Sequence, residues 1–137
     1  MKSNNFINSF NNPKGVELCS SKCNQLIFNL KKVETNSIKF PEYIDNNIHD
    51  ILNDTIQNLF LQCSKECNLN RYLKIENILN NTGVSNLEIK CFCCALIRYI
   101  FLKKFNFKIK LKHLKEVFDI SISSISKMYN SIMLIIK

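Results

Sequence analysis

The segment from Ser85 to Leu102 constrains this chain most. Ser85 and Glu88 stand three residues apart, directly ahead of Ile89 and an apolar run from Cys91 to Leu102. In such an S-x-x-E capping box the hydroxyl accepts from the third helical amide, and the carboxylate reaches back to the cap amide. A helix therefore starts here. Cys91-Phe92-Cys93-Cys94-Ala95-Leu96-Ile97 is apolar on every side, which predicts a buried helix with other helices around it. The run contains Arg98 and falls well short of the ~20 residues that span a bilayer, so it reads as a core helix with no role in a membrane. Lys103 and Lys104 close it, at the end where cations are favoured.

The rest of the chain fits around that helix. With 137 residues it suits one domain. Two glycines and two prolines are too few for the frequent turns of a sandwich or barrel, so the fold class is all-α. Residues 1–14 read as a disordered polar tail, with no apolar stretch of the signal-peptide kind. Val16, Cys19, Cys23, Ile27 and Leu30 fall near helical spacing, the pattern of a short docking helix within residues 1–44. The helical domain proper is then 45–137. Helices are predicted over about 45–66, on the stripe Ile48, Ile51, Leu52, Ile56, Leu59, Phe60 and Cys63, and over 70–80. Gly83 follows as a residue free to take positive φ. Two shorter helices, about 109–118 and from 122 onward, flank the turn Asp119-Ile120-Ser121.

Charge is distributed unevenly. From Lys90 to Lys137 there are ten Lys and Arg residues against Glu116 and Asp119 alone, a net +8, whereas residues 1–89 are neutral. Asn, Ile and Lys are abundant, as an AT-rich coding sequence would give, so the placing of the lysines says more than their number. One basic end suggests a polyanionic partner. Nucleic acid is the first choice, because phosphate neutralisation supplies most non-specific affinity.

That basic end ends in two short helices joined by a tight turn, the arrangement of a DNA-reading helix-turn-helix. Leu114, Phe118, Ile120, Ile125 and Met128 have the spacing of the apolar cluster that fixes the angle between the two. The usual small residue of the first helix is Lys115 here, and the usual turn glycine is Asp119. Ser121 is placed as the N-cap of the last helix. Ser123, Ser124 and Lys127 fall on its polar side, suited to phosphates or base edges. Lys108, Lys110, Lys112 and Lys115 are placed as flanking phosphate contacts. The competing reading is a packing corner with a solvated, serine-rich face.

Residues 45–137 resemble one cyclin-type repeat of the transcription factor IIB family. The likeness lies in the order of five helices and in three segments: Asn68-Leu69-Asn70-Arg71, Gly83–Leu102, and Lys110–Lys137 with its Lys115-Glu116-Val117 step, turn and serine-rich helix. It covers about two thirds of the chain. The resemblance implies a five-helix cyclin-like bundle around a buried central helix, ending in a helix-turn-helix. It implies that Ser123, Ser124 and Lys127 lie on a DNA-facing helix, with Lys110, Lys112 and Lys115 near phosphates. The partners implied are double-stranded promoter DNA, the TATA-binding protein and RNA polymerase, in the nucleus or another DNA-containing compartment. The family normally has two repeats and a zinc ribbon of Cys-x-x-Cys pairs; this sequence has one repeat and no such pairs. The smallest subunit of the origin recognition complex is built on the same repeat and is an alternative. So is a cyclin-like module that binds a protein through residues 16–44 and the helix at 45–66.

Cys19/Cys23 and Cys63/Cys67 are two C-x3-C pairs, each on one helical face, and together could hold one zinc ion. The plainer expectation is small buried apolar side chains, reduced in an intracellular protein. Cys91, Cys93 and Cys94 point different ways on the buried helix and read as core. His49 and His113 have no ligand-spaced partners. No phosphate loop, serine elbow or paired acidic motif is present, so no catalytic residue, cofactor or enzymatic activity is expected.

Overall fold

A computed structural model describes residues 14–32, 42–66 and 69–136. The polar tail, Cys67, Asn68 and Lys137 lie outside the described residues. The described chain is all-helical: α1 (Lys14–Lys32), α2 (Glu42–Lys65), α3 (Asn70–Asn80), α4 (Asn86–Phe105), α5 (Leu111–Phe118) and α6 (Ile122–Ile135).

Local chemistry sets the helix ends. Ser85 Oγ accepts from the Glu88 amide at 3.2 Å, and Glu88 Oε1 accepts from the Ser85 amide at 3.3 Å. The capping box read from the sequence is therefore formed, and α4 begins after it. Helix α3 stops at Asn81, which takes the left-handed conformation (φ 56°) and donates its amide to Ile78 O; Gly83 follows at φ 65°. Helix α4 ends the same way at Asn106 and α5 at Asp119, with φ 52° and 55°. Asparagine and aspartate tolerate this region better than other residues with a side chain. Asp119 thus takes up the conformation for which glycine is usual, and the tight turn between α5 and α6 survives the replacement.

Burial along α4 is continuous from Cys91 to Ile97, and the helix packs against α1, α2, α3 and α6. On α2, Ile48, Leu52, Ile56, Leu59 and Cys63 are buried, while Ile51 and Phe60 pack at the edge of the core. Arg98 interrupts the apolar surface of α4. Its guanidinium carbon lies 4.4 Å from the centre of the Tyr129 ring of α6, a cation–π contact that joins the two helices. Arg98 is thus withdrawn from the set of cations that could face a polyanion.

The amino-terminal segment differs most from expectation. Helix α1 runs for 19 residues, and Val16, Cys19, Cys23, Leu26, Ile27 and Leu30 belong to the same core as α2 to α6. It contacts α2, α3, α4 and α5. A division at 44/45 therefore separates α1, expected as a short docking helix, from helices that it packs against; the five helices expected over 45–137 are α2 to α6. Leu26 adds one residue to the apolar face read from the sequence.

The cysteines follow the plainer expectation. All six described ones are buried and free. Cys19 and Cys23 meet Cys93 of α4: the Cys93 thiol donates to Cys19 O at 3.5 Å, and both other thiols bear on its ionisation. Among the described residues, no group of three His, Cys, Asp or Glu is arranged to hold a metal ion. Burial, with the Glu76 carboxylate adding to it, pushes the Cys63 thiol from 9.0 up to about 12. Burial, with the neighbouring Cys91 adding to it, does the same for Cys94. The folded state therefore holds protons that the unfolded state releases above pH 9, and stability should fall as pH rises from there toward 12. A urea titration repeated across that window checks the sign. In the same experiments a thiol reagent at neutral pH should label these six residues only after unfolding.

Candidate nucleic-acid interface

The candidate residues divide into three local groups. The first lies in the link between α4 and α5. Ile109 is buried (3 % exposed), and the lysines on either side of it, Lys108 and Lys110, are exposed. Phe107 packs nearby, its ring centre 6.0 Å from that of Phe101. The link is thus pinned by apolar side chains while its lysines point to water. Lys110 is also the N-cap of α5, with extended φ and ψ of −68° and 136°.

The second group lies on α5. Leu114 and Phe118 face inward and are buried. Lys112 and Lys115 are exposed, and their spacing of three sets them on one face. Glu116 is exposed too, four residues from Lys112, so this face carries one acid as well as two bases. His113 is half-buried between the two sides.

The third group lies on α6. Leu114, Phe118, Ile120, Ile125 and Met128 are all buried, so the apolar cluster expected beneath the helix pair is formed. Ser121 is the N-cap: its Oγ accepts from the Ser124 amide at 3.2 Å, and its hydroxyl is 2.7 Å from Ser124 Oγ. Ser123, Ser124, Lys127 and Asn130 are exposed, with Ser123 and Lys127 four apart on one face. Ser131, half-buried, donates to the Lys127 carbonyl at 3.2 Å, which turns its hydroxyl back onto its own helix. Ile122, three residues before the buried Ile125 and so at helical spacing with it, is 39 % exposed. It is the first residue of α6 and sits at the end of the apolar stripe.

All seven candidate residues are exposed, and helical spacing pairs Lys112 with Lys115 and Ser123 with Lys127. The structure also brings Ser124 and Lys127 together with a residue that the sequence reading passed over. These two line a groove of about 470 Å³ that is lined also by Lys74 of α3 and Leu87 of α4. No local pattern marks Lys74. Its position depends on how α3 lies beside the start of α4.

The histidines take no part in these groups beyond His113. His49 is exposed, and its Nδ1 is 2.8 Å from Asn24 Oδ1, a link between α2 and α1. No helix among the described residues is long and apolar enough to cross a membrane. Comparison with family models, with curated proteins and with solved structures gives no match to this chain.

Proposed function

We propose that this protein is a DNA-binding module of a transcription initiation complex, of the transcription factor IIB type. Helices α2 to α6 are read as a cyclin-like repeat with α4 at the centre, preceded by α1. Lys108, Lys110, Lys112 and Lys115 contact phosphates of double-stranded DNA, and Ser123, Ser124 and Lys127 of α6 approach the groove. One observation carries the reading: the seven residues singled out by charge and motif are all exposed, on a helix pair whose own core is closed. A buried or collapsed α6 would have left nothing to offer a duplex. The TATA-binding protein and RNA polymerase are the protein partners in this reading, and the nucleus is its compartment. The role is recruitment rather than catalysis, without a resident metal or cofactor.

The test is a titration of the full chain with a 20-base-pair duplex at several salt concentrations. Each lysine engaged with phosphate contributes about −0.9 to the slope of log K against log salt. Five lysines are in the proposed set, so a slope of about −4.5 is expected. A slope near zero would remove the electrostatic basis of the proposal. Co-purification then separates the readings: polymerase and the TATA-binding protein for initiation, an ATPase assembly for an origin-recognition subunit.

A further inference from the structure

The groove beside α6 continues past its own end. A second depression of about 270 Å³, between α3 and the turn before α4, shares Lys74 and Glu88 with it. The two meet at these shared residues, along α3, the start of α4 and α6, and are together called the channel. Its apolar surface comes from Leu73, Val84, Leu87, Ile120 and Met128. Two of these are strongly exposed, Leu73 at 45 % and Leu87 at 61 %. Each depression thus has one strongly exposed leucine in its lining, Leu87 in the larger and Leu73 in the smaller.

The charges in the channel are unequal in availability. Lys74 of α3 and Lys127 of α6 both line the larger depression, and neither ammonium has an ion-pair partner among the described residues. Glu88 is already engaged, because its Oε1 accepts from both the amide and the hydroxyl of Ser85. Asp119 at the lip is the one uncommitted carboxylate. A ligand filling the channel would cover the leucines and meet two unpaired cations.

We infer that the channel is a docking site for a short segment of a partner protein that carries apolar side chains on one face and carboxylates beside them. Apolar anchors would displace water from Leu73 and Leu87, and the carboxylates would pair with Lys74 and Lys127. A helix in a groove, read through anchors three and four residues apart, is the recognition mode that fits a channel between helices. The inference goes beyond DNA binding and does not require it. It involves α3 and α4, which that proposal leaves unused, and shares only Ser124 and Lys127 with it.

Selection of random 12-residue peptides displayed on phage against the full chain tests this. The enriched peptides should combine Leu, Ile or Phe with Asp or Glu. Measured singly by fluorescence polarisation, they should bind at least about tenfold more weakly to the Leu73→Ser/Leu87→Ser variant, a loss of two apolar anchors. They should also weaken with Lys74→Glu. Both leucines are exposed, so the variant should keep its melting temperature and its affinity for duplex DNA. Enrichment of basic or wholly polar peptides would overturn the inference. So would peptides indifferent to both leucines, or no enrichment at all. Peptide binding in a protein that ignores DNA would sink the initiation-factor proposal and leave the channel standing.

Discussion

Reversing charge at Lys110, Lys112 and Lys127 together is expected to weaken duplex DNA binding by about a hundredfold near 0.1 M salt and to flatten the salt slope by about 3. The three residues stand at separate places: the N-cap of α5, its exposed face, and the outward side of α6. None belongs to the core, so the change removes three cations and adds three anions while leaving the fold intact. Lys→Glu also adds repulsion against the remaining phosphates, so the loss should exceed that of three alanines. The thermal transition, measured alongside, should stay within a few degrees of the parent. An unchanged affinity would show that the lysines are a solvated surface. DNA binding, if it persisted, would then have to be sought elsewhere on the molecule.

The second large effect is on stability. Gly15→Ala is expected to destabilise the protein by about 2 kcal/mol, and Gly15→Val by more. Gly15 is buried at the start of α1, and a Cβ built on it would collide with the Leu79 carbonyl carbon and oxygen and the Ile78 carbonyl oxygen. These atoms are backbone at the end of α3, so no side chain can swing aside. Helix α1 would have to lift away from α3, opening the contacts of Val16 and Cys19 behind it. The gain in helix propensity from glycine to alanine, at most about 1 kcal/mol and smaller in a first turn, offsets only part of this. Urea denaturation of parent and variant decides it. Equal midpoints would mean that α1 does not hold this close approach in solution.

How much of this was legible in the sequence depends on how far each signal had to reach. The start of α4 was readable because Ser85 and Glu88 satisfy each other within one turn. The turn between α5 and α6 was readable for a similar reason, although Asp119 stands where glycine is usual; its left-handed φ keeps the geometry. The stripe on α2 was readable from its period, with a start three residues too late. The incorporation of α1 was not readable. Its apolar face was noticed, but the surfaces that cover it belong to α2, α3, α4 and α5, far along the chain, and no local pattern reports them. Lys74 and Gly15 were missed for the same reason. One matters through the wall it faces, the other through the carbonyls it lies against.

The site was legible as chemistry more than as shape. Exposure of Lys108, Lys110, Lys112, Lys115, Ser123, Ser124 and Lys127 followed from periodicity, since each falls opposite or between the buried positions. Two details were beyond it. Arg98 was counted among the cations of the basic end, yet it lies over Tyr129. Lys127 was assigned to an open surface, yet it borders a groove lined also by residues of α3 and α4.

The docking of α1 also settles where the smallest autonomous folding piece can begin. A fragment trimmed to residue 45, the boundary suggested by the family resemblance, would leave a bare trough lined by its former neighbours, including Ile78, Leu79 and Cys93. Such a fragment would be sticky, and its adhesion to anything offered, nucleic acid included, would reveal little about the intact molecule. Shortened versions therefore need to retain the chain from Gly15 onward.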